Sequence, residues 1–149
     1  MRAVVQRVAS AEVAVQGRAV GSIGRGLLVF LGVEQGDGQA DLDYICAKVL
    51  GLRIFEDDQG KMNLPVTEVG AQVCVVSQFT LCGDARHGRR PSFSTAAAPQ
   101  EGERWYLAAL EALRLAGATV ASGTFRADMQ VHLVNDGPVT ILLDSRKTF

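Results

Sequence analysis

The chain has little charge of either sign in excess, few aromatics and almost no histidine. Fifteen Lys and Arg stand against sixteen Asp and Glu, a formal charge of -1, and the sequence pI is about 6.1. Proteins that meet nucleic acid over their whole surface carry a strong basic excess, so this balance argues against that class. A single basic patch holding a few phosphates stays open. Only His87 and His132 are available to a Ser-His-Asp triad. His132 alternates with Gln130 on a polar strand face and His87 lies in a basic loop, so both read as solvated rather than catalytic. A zinc site lacks ligands. The three cysteines, Cys46, Cys74 and Cys82, are odd in number and not at metal-ligand spacing. Cys46 and Cys74 fall in apolar stretches and read as small buried hydrophobes, which suits a reducing, cytoplasmic compartment. No apolar run suits a signal peptide, and none approaches the roughly 20 residues of a membrane span. There is no GxxxxGK[ST], no HExxH, and no GxGxxG between a strand and a helix. Gly21-Ser22-Ile23-Gly24-Arg25-Gly26 is rich in glycine but precedes a strand. No cofactor and no metal are expected.

What remains is an ordinary globular composition, 48% apolar over 149 residues. That fits one domain, 1–149, burying roughly two-thirds of the surface its unfolded chain would expose. Valine-rich Ala3–Val8 reads as a strand, and Glu12–Gln16 and Arg18–Ile23 flank a Gly17 hairpin turn. Leu27–Val33 is a continuous apolar run, suited to a strand covered on both faces. Leu42, Ile45, Cys46, Val49 and Leu50 form a helical stripe, with Asp37 as candidate cap and Gly51 as candidate stop. A short strand spans Leu52–Glu56, and Asn63-Leu64-Pro65 reads as loop. Ala71–Leu81 reads as one long strand. An irregular stretch from Cys82 to Gln100 leads to a second helix over Glu101–Ala116, with Trp105, Ala108, Ala109, Ala112, Leu113 and Ala116 on its buried face. Thr119–Phe125 reads as a linking segment. Alternation at Met129, Val131 and Leu133, and an apolar run Val139–Leu143, predict two final strands. The fold class expected is α/β: a strand-rich mixed or antiparallel sheet with two main helices, joined largely by hairpins.

Three segments carry chemistry. Ser77-Gln78-Phe79-Thr80-Leu81 ends a buried apolar strand, where a sheet holds polar groups rigidly. Ser77 or Thr80 is a candidate nucleophile, though neither has an obvious base beside it. Freed backbone N–H groups are candidates for oxyanion stabilisation, although on composition alone an ordinary strand exit, its polar residues hydrogen-bonding the chain, is the favoured reading. Asn135-Asp136-Gly137-Pro138-Val139-Thr140 reads as a tight hairpin turn, with a Gly-Pro bond of either isomer. Arg86-His87-Gly88-Arg89-Arg90-Pro91-Ser92-Phe93 places three arginines near an aromatic, which suits phosphate contact and base stacking; a solvated basic loop is the usual account of a charge run, but the near-neutral remainder of the chain gives this local positive charge weight.

Together these segments resemble the D-aminoacyl-tRNA deacylase family. Ser77–Leu81 matches its SQFTL motif and Asn135–Thr140 its NxGPVT motif. The opening Met1–Val8, Leu52–Asp57, Lys61–Leu64 and Arg89–Phe93 are similar too, and the likeness runs from residue 1 to about Ser145. The resemblance implies a barrel-like homodimer that hydrolyses the ester joining a D-amino acid, or glycine, to the terminal adenosine of tRNA. It implies that Gly137 and Pro138 form a cis peptide reaching into the partner subunit's pocket. That pocket would be lined by Ser77, Gln78, Phe79 and Thr80. Arg86, Arg89 and Arg90 are candidates for tRNA contact, with neither DNA nor membrane as partner. Two other readings compete: a small-molecule esterase or amidase using Ser77 or Thr80, and a non-catalytic RNA-binding module.

Overall fold

A computed structural model describes residues 1–149. Its frame is one long strand, β1 (Arg2–Val15), that turns through Gln16-Gly17 into β2 (Arg18–Ile23). β3 (Gly26–Gly32) returns antiparallel to the first half of β1. Helix α1 (Gln39–Gly51) and a small hairpin of β4 (Phe55–Glu56) and β5 (Met62–Leu64) lead to β6 (Gln72–Ser77), which lies parallel to β3. A 3-10 turn (Phe79–Cys82), an irregular loop and helix α2 (Pro99–Leu115) lead to β7 (Val120–Ser122), parallel to β6. β8 (Met129–Asp144) then runs antiparallel along the whole of β1.

The sheet is therefore mixed, and two of its connections are helical crossovers rather than hairpins. Parallel neighbours require such crossovers, and the helices then cover one sheet face. Leu27, Val29 and Leu31 of β3 and Val73 and Val75 of β6 face the helices, joining Ile45, Val49, Tyr106 and Leu110 in the larger core. The alternate residues Leu28, Cys74 and Val76 join Val8, Val13 and Ile23 in a second core on the opposite face. Burial on both faces is why Leu27–Val33 reads as an unbroken apolar run. The second core lies inside the curl of the sheet, which nearly closes where β2 meets β7. At that seam a Cβ on Gly21 would strike the Ser122 carbonyl, so glycine permits the close approach.

Several local expectations are corrected. Asp37 does not cap α1: its buried carboxylate takes the Glu34 N–H and the Met1 amine at 2.7 Å each, and Gly38 stands at the N-cap. The Asp41 carboxylate accepts the Gly38 N–H at 2.8 Å, closing the first turn from inside the helix. Asn63 and Leu64 lie in β5 rather than in loop, because Phe55 and Glu56 offer them a strand to pair with. The long strand predicted to Leu81 stops at Ser77, and the Thr119–Phe125 segment contains β7. Ala116 is exposed at the end of α2, while Gly102, Tyr106 and Leu110 join its buried face. All three cysteines are buried and free. No helix is long and apolar enough to cross a membrane.

Candidate functional site

The Asn135–Thr140 segment is not a hairpin turn. β8 passes through it without reversing: Asn135 pairs with Val8 and Thr140 with Gln6, so Asp136–Val139 stand opposite the single residue Arg7. Four residues against one must bulge out of the ladder. Side chains then fix the bulge. The Asn135 Oδ1 accepts the Val139 N–H at 2.9 Å. Arg7, only 6% exposed, donates from Nε to the Asp136 carbonyl at 3.1 Å and from Nη1 to the Ile54 carbonyl at 2.6 Å. Its Nε also lies 3.3 Å from the Asp136 carboxylate. Gly137 has φ 129°, and a Cβ there would fall 3.0 Å from Arg7 Nη2. The Gly137–Pro138 bond is cis, and both residues are exposed. The sequence marks Arg7 only faintly, as a cation amid the valines of an otherwise buried strand.

The Ser77–Leu81 segment is built differently. The Gln78 N–H donates to the Leu31 carbonyl at 2.8 Å, continuing the β3–β6 ladder one residue beyond the strand. The chain then tightens into the 3-10 turn, where Leu81 N–H bonds the Gln78 carbonyl and Gly83 N–H the Thr80 carbonyl. Gly32 lets the turn press onto β3, since a Cβ there would meet the Gln78 carbonyl oxygen at 2.9 Å. Arg2 Nη1 donates to the Leu81 carbonyl at 3.1 Å and Thr95 Oγ1 to the Cys82 carbonyl at 3.2 Å. No turn or loop hydrogen bond takes up the N–H of Phe79 or Thr80. These are the leading donors of the turn, which have no partner within it. The Gln78 amide donates to the Thr80 hydroxyl. Phe79, 60% exposed, packs edge-on against Phe93 at 5.2 Å between ring centroids.

Beside this turn lies an open trough of about 520 Å³. Ser77, Gln78 and Phe79 form one wall, Ala96, Ala97 and Pro99 another, and Tyr106, Phe125 and Met129 much of the remainder. Thr80 does not line it. The lining is mostly apolar with a few polar groups, and its volume suits a ligand of nucleoside size. No side chain at the trough is poised for proton transfer at neutral pH. Burial pushes the Tyr106 phenol up to about 12, and its hydroxyl donates to the Val75 carbonyl at 2.9 Å. Burial pushes the nearby Cys82 thiol up to about 11. Neither His87 nor His132 lines the trough; His132 lies on β8 opposite Glu12. A base at Ser77 or Thr80 is therefore missing, and what the site offers is main-chain N–H groups.

Within one chain the two motifs do not meet. Arg7, level with the bulge, pairs with Leu27 and through it with Val73, whereas Ser77 lies level with Leu31 and Ala3. Four residues along the strands and three strand spacings across them separate bulge from turn by roughly 15–20 Å.

Of the candidate arginines, Arg86 is engaged locally. Its Nε and Nη2 grip the Asp84 carboxylate at 2.9 and 2.6 Å, and this pairing holds Asp84 well below the usual carboxylate range. Arg89 and Arg90 are exposed and take no part in the chain's ion pairs, which use Arg2, Arg7, Arg86 and Arg146. Sequence reasoning missed Tyr106, Phe125 and Arg126 at the trough, because only the fold brings them to Ser77.

A curled mixed sheet flanked by two helices, with a nucleoside-sized trough at the strand end by Ser77, defines a class: small α/β proteins with a ligand-sized trough at the end of a buried strand. The comparisons narrow that class. The model of the family described as D-Tyr-tRNA(Tyr) deacylase matches residues 4–144. Proteins named D-aminoacyl-tRNA deacylase from Anaeromyxobacter dehalogenans and Thermotoga petrophila are 61% and 58% identical over the full length of both chains. A solved structure titled c-Myc DNA Unwinding Element Binding Protein is 42% identical with a TM-score of 0.93, covering 97% of this chain and 98% of that one. A probable eukaryotic D-amino acid tRNA deacylase, 19% identical with a TM-score of 0.77 over 95% and 97% of the chains, shares the fold. The chain belongs to the D-aminoacyl-tRNA deacylase family.

Proposed function

We propose that this protein hydrolyses the ester of D-aminoacyl-tRNA and of glycyl-tRNA, releasing tRNA, and rejects L-aminoacyl-tRNA by a wall that a second copy supplies. The observation that carries the reading is the separation of the two motifs. The bulge is exposed and stiffened, yet its own trough is out of reach, so a twofold-related copy is the economical way to bring Gly137 and Pro138 to Ser77–Thr80. The free edge of β8, with Val134 and Leu142 exposed beside it, supports such pairing.

The terminal adenosine then occupies the trough, and the ester carbonyl lies against the Phe79 and Thr80 N–H groups, which serve as oxyanion donors for attack by water. The 2′-hydroxyl of the terminal ribose helps position that water. Ser77, Gln78, Phe79 and Thr80 frame the reacting carbonyl. An aminoacyl ester is already activated, so modest stabilisation suffices. The Gly137 and Pro138 carbonyls hold the α-amino group. An L side chain points into the wall, a D side chain points to solvent, and glycine has none to reject. Arg86, Arg89 and Arg90 contact tRNA phosphates, with Arg86 already offset by Asp84. The setting is the cytoplasm, and no metal or cofactor is expected.

Deacylation of matched D-, L- and glycyl-tRNA by purified protein with chelator present tests the reading. Turnover of the D and glycyl forms with the L form spared supports it; equal rates on D and L, or a strict monomer that still discriminates, sinks it. The name of the 42%-identical structure supports a second reading, DNA binding. Tight binding to a DNA duplex with no deacylation would favour that one.

A further inference from the structure

Sixteen residues line the trough, and Arg126 is the only charged one among them. It sits in the turn between β7 and β8, where the Ala127 N–H bonds the Thr124 carbonyl at 3.2 Å. Its guanidinium has none of the ion pairs that occupy Arg2, Arg7, Arg86 and Arg146. Its backbone has φ 60°, a left-handed conformation that glycine adopts more readily than a residue with a Cβ. A long cation is thus held at a position where the fold alone would favour glycine, on the rim of an otherwise uncharged trough. An unpaired guanidinium beside a nucleoside-sized apolar trough is complementary to a nucleotide whose phosphodiester leaves the trough at that rim.

We propose that Arg126 binds the phosphodiester immediately 5′ to the nucleoside in the trough, making the site selective for the 3′ end of an RNA strand over a free nucleoside. This assignment rests on the RNA substrate proposed above. It is separate from Arg86, Arg89 and Arg90, which lie on a different loop. Arg126 binds and orients the strand and takes no part in the chemistry at the ester.

The test compares adenosine with the trinucleotide CpCpA, neither carrying an amino acid, on the wild type, Arg126→Gln, Arg126→Lys and Arg126→Gly. The wild type should bind the trinucleotide more tightly than adenosine. Arg126→Gln should weaken the trinucleotide about tenfold and reduce the slope of log K against log salt by about 0.7, the share of one single-strand phosphate. Adenosine affinity should not change. Arg126→Lys should restore much of the loss. Arg126→Gly should lose binding as Arg126→Gln does while melting no lower than the wild type. On D-aminoacyl-tRNA, KM should rise with kcat unchanged. Equal loss for both ligands, no loss for either, or a wild type that prefers adenosine overturns the proposal. If the wild type hydrolyses no charged tRNA but the trinucleotide-specific loss persists, the deacylase reading fails and this assignment stands.

Discussion

The turn at Ser77–Cys82 and the bulge at Asp136–Val139 reach order by opposite routes. The turn ends a strand buried on both faces, and it is fixed mainly by main-chain bonds to Leu31 and within itself. The bulge lies on an edge strand with a neighbour on one side only. Two side chains, Arg7 and Asn135, replace the missing ladder. The turn should therefore tolerate loss of its own side-chain groups and fail when its backbone is displaced. The bulge should fail when a supporting side chain is removed.

The strongest way to break this contrast is Arg7→Leu. It strands the Ile54 and Asp136 carbonyls and should cost about 3–6 kcal/mol in denaturant unfolding, since bonds from a charged donor contribute about 1.5–3 kcal/mol each. Selectivity for D over L should fall at least about tenfold, or about 1.4 kcal/mol. Unchanged selectivity in a folded Arg7→Leu protein would show that the bulge orders itself. Next in size is Gly32→Ala, whose methyl would displace the Gln78 carbonyl. Overpacking of this kind costs about 1–3 kcal/mol, and kcat should fall more than KM rises. Asn135→Ala frees the Val139 N–H and should cost about 1 kcal/mol, with a smaller loss of selectivity than Arg7→Leu. Thr80→Ala should be the mildest, leaving kcat within about threefold. A collapse of kcat with an intact fold would mean that Thr80 acts covalently and that the turn is not merely a main-chain device.

Acid gives a further handle, because Arg2 joins the back of the turn to Asp144. Burial alone would raise the Asp144 carboxyl, but the Thr148 hydroxyl and the N–H groups of Arg146 and Thr148 hold it below its ordinary value. A carboxyl depressed in the folded state stabilises the protein above its unfolded pKa of about 3.9, and that contribution disappears as pH falls through the lower folded value. Stability should thus be insensitive to this group from pH 7 to about 5 and decline below about 4. Asp144→Asn should flatten that decline in acid-titrated melts.

Much of the architecture was legible in residue patterns. The apolar run of β3, the stripe of α1 and the Gln16-Gly17 hairpin follow from periodicity and glycine chemistry. The helical crossovers were not legible, because a run such as Val73–Val76 does not reveal whether its partner is parallel. The Asp-Gly-Pro signal suggests a reversal for a related reason. Turn residues mark a departure from the ladder, but the pairing of Gln6 with Thr140 and Val8 with Asn135 decides that the chain rejoins the same neighbour. Asp37 looks like a cap in one dimension; in three, the Met1 amine claims it.

By itself, then, the sequence determined the main strands and helices, though not β5, β7 or the end of β6, and which residues carry the two motifs, since those depend on local propensity and on side-chain identity. Only the tertiary structure decided that Arg7 holds the bulge, that Arg126 stands at the trough, and that turn and bulge lie apart within one chain. Those are facts of register between strands distant in the chain, and register is set by packing across the whole sheet.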